Sequence, residues 1–336
     1  MNYDVIIIGA GPAGIYSSII LKRGIPTQNV EENISVGIIE KGLIGGFTRY
    51  AHIQISKQWS FSGSNLISNL YNEAKNLNVH FHSNEEVTNI EKICNDKFLI
   101  KTNSKIFTAR FVILANGIFS TPESLNSNKV LIGLHNAKFM IEDIKEKGWK
   151  KIILYGSYKK SLKDLKKELE EYKYLEKIKI IVEPLGSYEK KFLDLSIPNE
   201  MMSNFDGIVI DYNSYKILNS STPKINIPEL KEDLGFIYTN EFCETNISGL
   251  YAVGTNSNII TGIPICLSTA QIASLDIGRK INKVIISEPT GRFPWFPREA
   301  DWNNSWLNIL KKQRKQTIQF IYVIFKVKEG GLNDKY

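Results

Sequence analysis

The chain has 336 residues, 43% of them hydrophobic and 23% charged. At about 100–200 residues per domain this predicts two domains, and it excludes a mostly disordered chain. Lys and Arg number 42 against 35 Asp and Glu, a net charge of +7. The basic patch Lys159–Lys167 is interleaved with Asp164 and followed by Glu168, Glu170 and Glu171, so it reads as a solvated helix face and argues against nucleic-acid binding.

Three cysteines exclude a disulfide framework. No apolar run approaches the ~18–20 residues a spanning helix needs. The first residues lack the basic n-region and cleavage site of a secretory leader. The expectation is a soluble cytoplasmic protein with no membrane span.

In chain order, residues 4–8 (DVIII) predict a buried parallel strand. Residues 12–22 predict a helix and Val36–Glu40 a second strand, together a βαβ unit. Residues 64–76 show helical spacing, and 86–114 read as short strands ending at Gly117. A second α/β pattern follows: strand Lys151–Tyr155, helix Lys160–Tyr172 and strand Ile178–Val182. Val209–Ile217 and Phe236–Thr239 are further strand candidates. Leu250–Val253 is an apolar strand ending at Gly254, and 264–282 a helix with small residues on one side. The last 50 residues carry Pro289, Pro294, Pro297 and a cluster of tryptophans.

Gly9-Ala10-Gly11-Pro12-Ala13-Gly14 fits G-x-G-x-x-G between a strand and a helix. In this pattern the first glycine permits the tight turn. The second lets the backbone approach a pyrophosphate, and the third lets helix and strand pack closely. The helix start offers free N–H groups to the phosphates. Glu40 ends the second strand 26 residues beyond Gly14 and is placed to bind a ribose diol, with Lys41 beside it.

The motif G-A-G-P-A-G, the later Gly45-Gly46, the string RFVILANG (Arg110–Gly117) and TNISGLYAVGTNSN (Thr245–Asn258) together resemble the low-molecular-weight thioredoxin reductase-like flavoproteins, class II of the pyridine nucleotide-disulfide oxidoreductases. The resemblance runs over roughly residues 3–284. It implies an α/β fold of two Rossmann-like dinucleotide-binding domains: a discontinuous FAD domain (1–120 and 235–285), an inserted NAD(P)-type domain (121–234) and a C-terminal extension (286–336). It further implies that Gly45 and Gly46 approach the flavin nucleotide and that Val87 lies on the strand contacting the adenine. Ala115-Asn116-Gly117 stands for the family's Ala-Thr-Gly, and Gly254-Thr255 for its Gly-Asp, so Thr255 keeps an oxygen but loses the charge. The helix starting near Ile263-Pro264 should aim its N–H groups at the flavin.

Two family features are absent. No C-x-x-C exists; its expected place, near 135–138, reads His135-Asn136-Ala137-Lys138, and Cys94, Cys243 and Cys266 are far apart in sequence. A dithiol relay needs neighbouring sulfurs, so the family's route to thioredoxin is excluded. The second turn, Gly156-Ser157-Tyr158-Lys159-Lys160-Ser161, keeps only its first glycine, and the Tyr158 ring would occupy the pyrophosphate space. This argues against conventional NADPH binding.

The remaining candidates are weak. His52 and His135 are surface or structural histidines, or else proton donors to a flavin or substrate. His80 and His82 alternate on a strand-like segment without further ligands nearby, so no metal site is expected. Cys266 is a small core residue or a thiol activated by a helix start, and Cys243 could pair with it in space. Trp295, Trp302, Trp306 or Tyr336 would pack on a subunit partner or cover the flavin.

The combined expectation is an FAD-dependent oxidoreductase and homodimer without a dithiol. Its electron donor would be an acidic carrier such as ferredoxin. One branch of such proteins holds a second flavin near the nicotinamide site. Ferredoxin–NADP reductase activity and a non-enzymatic flavin-binding scaffold are the alternatives.

Overall fold

The computed structural model describes residues 1–23, 34–56, 58–118, 129–133, 137–182, 203–211, 225–233, 236–257 and 262–281. His135, the tryptophans of the last 50 residues and Tyr336 lie outside them. By its contacts the chain divides into a larger unit, Met1–Gly24 with Val30–Ile277, and a smaller one, Ile25–Asn29 with Gly278–Tyr336. Two sheets within the larger unit carry its architecture, and the elements around each are called a lobe below.

The first sheet has seven strands. β1 (Asn2–Ile8) lies between β2 (Val36–Glu40) and β8 (Ile106–Leu114), parallel to both. β5 (His80–Ser83) extends it in parallel beyond β2. β8 is shared along its length. Its first half pairs antiparallel with β7 (Lys97–Thr102), itself paired with β6 (Val87–Cys94). Its second half pairs in parallel with β15 (Leu250–Ala252), which thereby rejoins the sheet from far along the chain.

The run Val5-Ile6-Ile7 is fully buried, as expected of a strand covered on both faces. α1 (Pro12–Arg23) begins on a proline, whose missing N–H costs nothing at a helix start. α2 (Gly63–Asn76) packs against α1, and Arg23 bonds Glu73 at 2.7 Å. Between the glycines at 45–46 and α2 lie the one-turn helix Gly46–Tyr50 and a short hairpin, β3 (His52–Gln54) and β4 (Ser60–Ser62).

The second sheet is parallel throughout, in the order β11-β10-β12-β9: Lys177–Val182, Lys151–Gly156, Gly207–Asp211 and Val130–Gly133. α3 (Ala137–Glu146) and α4 (Lys159–Glu171) cover it. Leu162, Leu165 and Leu169 form the buried stripe of α4 and its lysines face outward, so the Lys159–Lys167 patch is the solvated face the sequence predicts. A two-residue pair, β13 (Glu232–Asp233) with β14 (Phe236–Ile237), precedes β15. α5 (Ile263–Ile281) closes the described chain, its Asp276 accepting from the Tyr251 hydroxyl at 2.6 Å and Ser274 donating to the Ser17 carbonyl.

The predicted elements are recovered with shifts of a few residues. The expected strand Val209–Ile217 begins earlier, at Gly207, and runs to Asp211; its remainder lies outside the described residues. Phe236–Thr239 is extended only over Phe236–Ile237.

Glu85 sits just before β6, where its carboxylate accepts from Lys105 (2.6 Å), Thr102 (2.6 Å) and Ser104 (2.7 Å). These bonds, that from Lys105 foremost, hold its carboxyl down to about 2. A group whose pKa falls on folding stabilises the fold above its unfolded value of about 4.3 and loses that contribution as pH drops toward the folded value. The urea midpoint of Glu85→Gln should therefore lie below wild type at pH 7, with the gap narrowing between about pH 4 and 2. An equal gap at pH 7 and pH 2.5 would show that the carboxylate is not the source.

Candidate nucleotide-binding site

The carboxyl ends of β1, β2, β8 and β15 meet at one edge of the first sheet. Chain connections leave β1 toward β2 on one side, while β8 flanks it on the other. That is the switch point at which open parallel sheets bind ligands.

The glycine turn is built as its spacing predicts. Gly9 has φ +103°, open to glycine and strained for other residues, and its N–H donates to the Ile39 carbonyl. A Cβ at Gly9 would lie 2.6 Å from the Ala115 carbonyl oxygen. One at Gly14 would lie 2.0 Å from the Gly9 carbonyl oxygen, so α1 can approach β1 this closely only without a side chain there. At Gly11 a Cβ would meet nothing within 4 Å among the described residues. Bare backbone therefore faces open space at the one position where the motif needs a ligand to approach.

Pro12 and Ala13 open α1, which has no acidic residue in its first turn to compensate the positive end of the helix. The Glu40 carboxylate is fixed at this turn. Oε2 accepts from the Ala10 N–H at 2.6 Å and Oε1 from the Gly42 N–H at 2.8 Å. Lys41 is exposed, 3.9 Å from Glu86. Gly45, also at φ +103°, donates to the Ala10 carbonyl, and its missing side chain makes room for Ile67 of α2. Gly46 is left-handed as well, with nothing near its Cβ direction.

From the other side come the segments after β8 and β15. Ala115 donates to the Ile8 carbonyl and Val253 to that of Leu114. A Cβ on Gly117 would stand 3.4 Å from the Thr255 hydroxyl, and one on Gly254 3.1 Å from the Ala13 Cβ and 3.7 Å from the Cys266 sulfur. The starts of α1 and α5 thus converge on Gly254, whose N–H is held by the Thr269 hydroxyl at 2.9 Å. Ile263 is buried and Pro264 exposed at the start of α5. Val87 is buried in the core of the first lobe at the head of β6.

Sequence reasoning overlooked Asn256. It is fully buried and donates to the Leu114 carbonyl (3.1 Å) and to Asn116 Oδ1 (2.9 Å), which orients the Asn116 amide beside Gly117. Among the described residues its own Oδ1 is buried without a hydrogen-bond partner. One-dimensional spacing gives no sign of a contact between residues 140 positions apart.

The weak catalytic candidates do not join this site as a set. The Cys266 thiol is pushed up to about 11 by burial, the opposite of the activation a helix start can give. Cys243 is raised to about 11 by the same cause, and both are free thiols, so no bridge joins them. His52 is buried and its Nδ1 lies 2.9 Å from Asp143 Oδ1 of α3, a hydrogen bond between the lobes. In the second lobe, Tyr158 precedes α4 without a side-chain capping bond and is 39% exposed, so its ring is not part of the lobe's core.

Residues 51–161 match the family model described as pyridine nucleotide-disulphide oxidoreductase. The ferredoxin–NADP reductase of Ligilactobacillus salivarius is 33% identical over 119 residues, 35% of this chain and 34% of that protein. The aligned stretch therefore spans only about a third of that relative's length. A 34.2 kDa protein in the rubredoxin operon of Clostridium pasteurianum is 23% identical over 305 residues, 81% of this chain and 95% of that protein. The solved thioredoxin reductase of T. acidophilum has a TM-score of 0.51 at 18% identity, covering 84% of this chain and 99% of that one. The chain thus has the two-domain, thioredoxin reductase-like Rossmann fold, with a central stretch similar to the pyridine nucleotide-disulphide oxidoreductases.

Proposed function

We propose that the chain is an FAD-dependent oxidoreductase whose flavin nucleotide lies at the carboxyl edge of the first sheet. The observation that carries this reading is the glycine turn. Gly9 and Gly14 are wedged against backbone, while Gly11 alone opens onto free space beside an uncompensated helix start. The first-turn N–H groups of α1 would hold the diphosphate. Glu40, anchored by Ala10 and Gly42 at the end of β2, would accept from a ribose diol. Gly45, Gly46, Asn116, Gly117 and Thr255 would line the nucleotide, and Val87 and Lys41 its adenosine end. The first turn of α5 carries no acid, so its positive end would favour a reduced, anionic ring. FAD would supply both one- and two-electron chemistry. Residues 1–120 with 235–285 form the FAD domain in this reading, and 121–234 the second domain.

The route of electrons is part of the same proposal. Without a C-x-x-C the family's dithiol relay has no place in this chain. Tyr158 replaces the second glycine of the later turn, which disfavours NADPH and points to an acidic carrier such as ferredoxin, in a homodimer. A second flavin in the later turn belongs to the same alternative. The ferredoxin–NADP reductases among the relatives support a second reading, in which nicotinamide reaches the flavin directly.

Heat extraction of the purified chain should release FAD at about one equivalent per subunit. Anaerobic mixing with NADPH should leave the flavin oxidised on the millisecond scale. Rapid bleaching would establish the second reading instead, and a colourless chain that takes up no added FAD would end both.

A further inference from the structure

At the outer edge of the first sheet, Tyr3 of β1 reaches across β2 to two histidines of β5. The period of two places His80 and His82 on one face of that edge strand. Gly37 of β2 is the register partner of His80, and a Cβ there would lie 3.1 Å from the Tyr3 ring. The glycine is thus the gap through which the phenol crosses. Its oxygen lies 3.1 Å from His80 Nδ1 and 2.9 Å from His82 Nε2.

As hydrogen bonds, the phenol gives its proton to one imidazole and accepts from the N–H of the other. The phenol oxygen also stands from each of the two nitrogens at the spacing of neighbouring ligands on a single metal ion. Bond lengths of about 2.0–2.2 Å at right angles put adjacent donor atoms about 3 Å apart. We propose that Tyr3, His80 and His82 form a binding site for a late divalent transition metal ion, with the two imidazoles as its principal ligands. Among the described residues no three His, Cys, Asp or Glu side chains gather, so the phenol is what completes this set.

A ligand set of two imidazoles and a phenol oxygen suits copper(II) and, more weakly, nickel(II). His82 is held below the ordinary histidine value by burial first, then by Lys105, His80 and the amino terminus, with Glu85 opposing. Lys105 is the cation most opposed to a metal ion here, and it is paired with Glu85 at 2.6 Å. A metal ion bound at the phenol oxygen would release its proton to solvent. A bound ion would tie the edge strand β5 to the central strand β1.

The test is a copper(II) titration of the full-length chain, stripped with EDTA and held in a glycine buffer that competes for loose metal. One equivalent should bind with a tetragonal electron paramagnetic resonance signal split by nitrogen, and should raise the thermal midpoint. His80→Gln and His82→Gln should each weaken binding by roughly tenfold or more. Tyr3→Phe should keep the nitrogen splitting and lose any phenolate-to-copper absorption band. The chain has only four histidines, so few competing sites exist. Absence of binding to wild type, or the same stoichiometry and spectrum in the His80→Gln/His82→Gln double variant, would overturn the proposal.

Discussion

Adding one methyl group at Gly14 should destabilise the fold, whereas the same methyl at Gly11 should weaken flavin binding alone. At Gly14 the new carbon would lie 2.0 Å from the Gly9 carbonyl oxygen and 3.3 Å from the Ala115 side chain. The nearer neighbour is backbone and cannot swing aside, so α1 would have to lift from β1. Overpacking of this kind costs about 1–3 kcal/mol, and a backbone clash belongs at or above the upper end. At Gly11 nothing lies within 4 Å and the backbone needs no positive φ, so alanine fits the protein itself. It would intrude only on whatever approaches that surface. A misplaced methyl group is worth about 1–3 kcal/mol, or roughly 10–200-fold in affinity. Flavin-free Gly11→Ala should melt with wild type and bind FAD at least tenfold more weakly, while Gly14→Ala should melt lower whether or not FAD is added. Thermal melts and fluorescence titration with FAD separate the two effects. Wild-type FAD affinity in Gly11→Ala would remove the nucleotide from this turn.

The first βαβ unit is legible because its signals are local. A β-branched run stops at Gly9, proline opens the helix, and an acid ends the next strand, so the predicted and observed bounds of β1, α1 and β2 nearly coincide. Residues 118–150 receive no predicted element, yet they contain β9 and α3. A four-residue apolar run such as Val130–Gly133 has too short a pattern to separate strand from helix. The hairpin β3–β4 is likewise made of three-residue strands. What lies wholly beyond one-dimensional reading is partnership at long range. Asn256 with Asn116, Tyr3 with two histidines, and His52 with Asp143 are each distant in sequence. Spacing identified the chemistry-bearing turn, but only the assembled sheet shows which polar groups are already engaged. The second turn illustrates the difference: the lost glycines are visible in sequence, while the exposure of the Tyr158 ring is not.

The segment between the paired glycines and α2 should prove to be the staple between the lobes. Tyr50 follows directly from the first lobe's Gly46 turn, yet it is fully buried among Val130, Ile132, Ile153, Tyr155, Phe205, Ile208 and Ile210 of the second sheet. Its neighbours repeat the crossing: Phe47 packs on the same cluster, Ala51 bridges to Ile132, and His52 pairs with Asp143. Truncating a fully buried aromatic costs about 3–5 kcal/mol through lost burial and the cavity left behind. Removing the hydrogen-bond partner of a buried polar group costs about 1–3 kcal/mol, because the other group is left unsatisfied. Tyr50→Ala should therefore lower stability by about 3–5 kcal/mol. Because the lost contacts lie between lobes, it should also split one unfolding transition into two. His52→Ala should act in the same direction, and the conservative Tyr50→Phe should restore most of the loss. Differential scanning calorimetry of the full chain reads both the midpoint and the number of transitions. A single, unshifted transition in Tyr50→Ala would mean that the lobes are held together elsewhere.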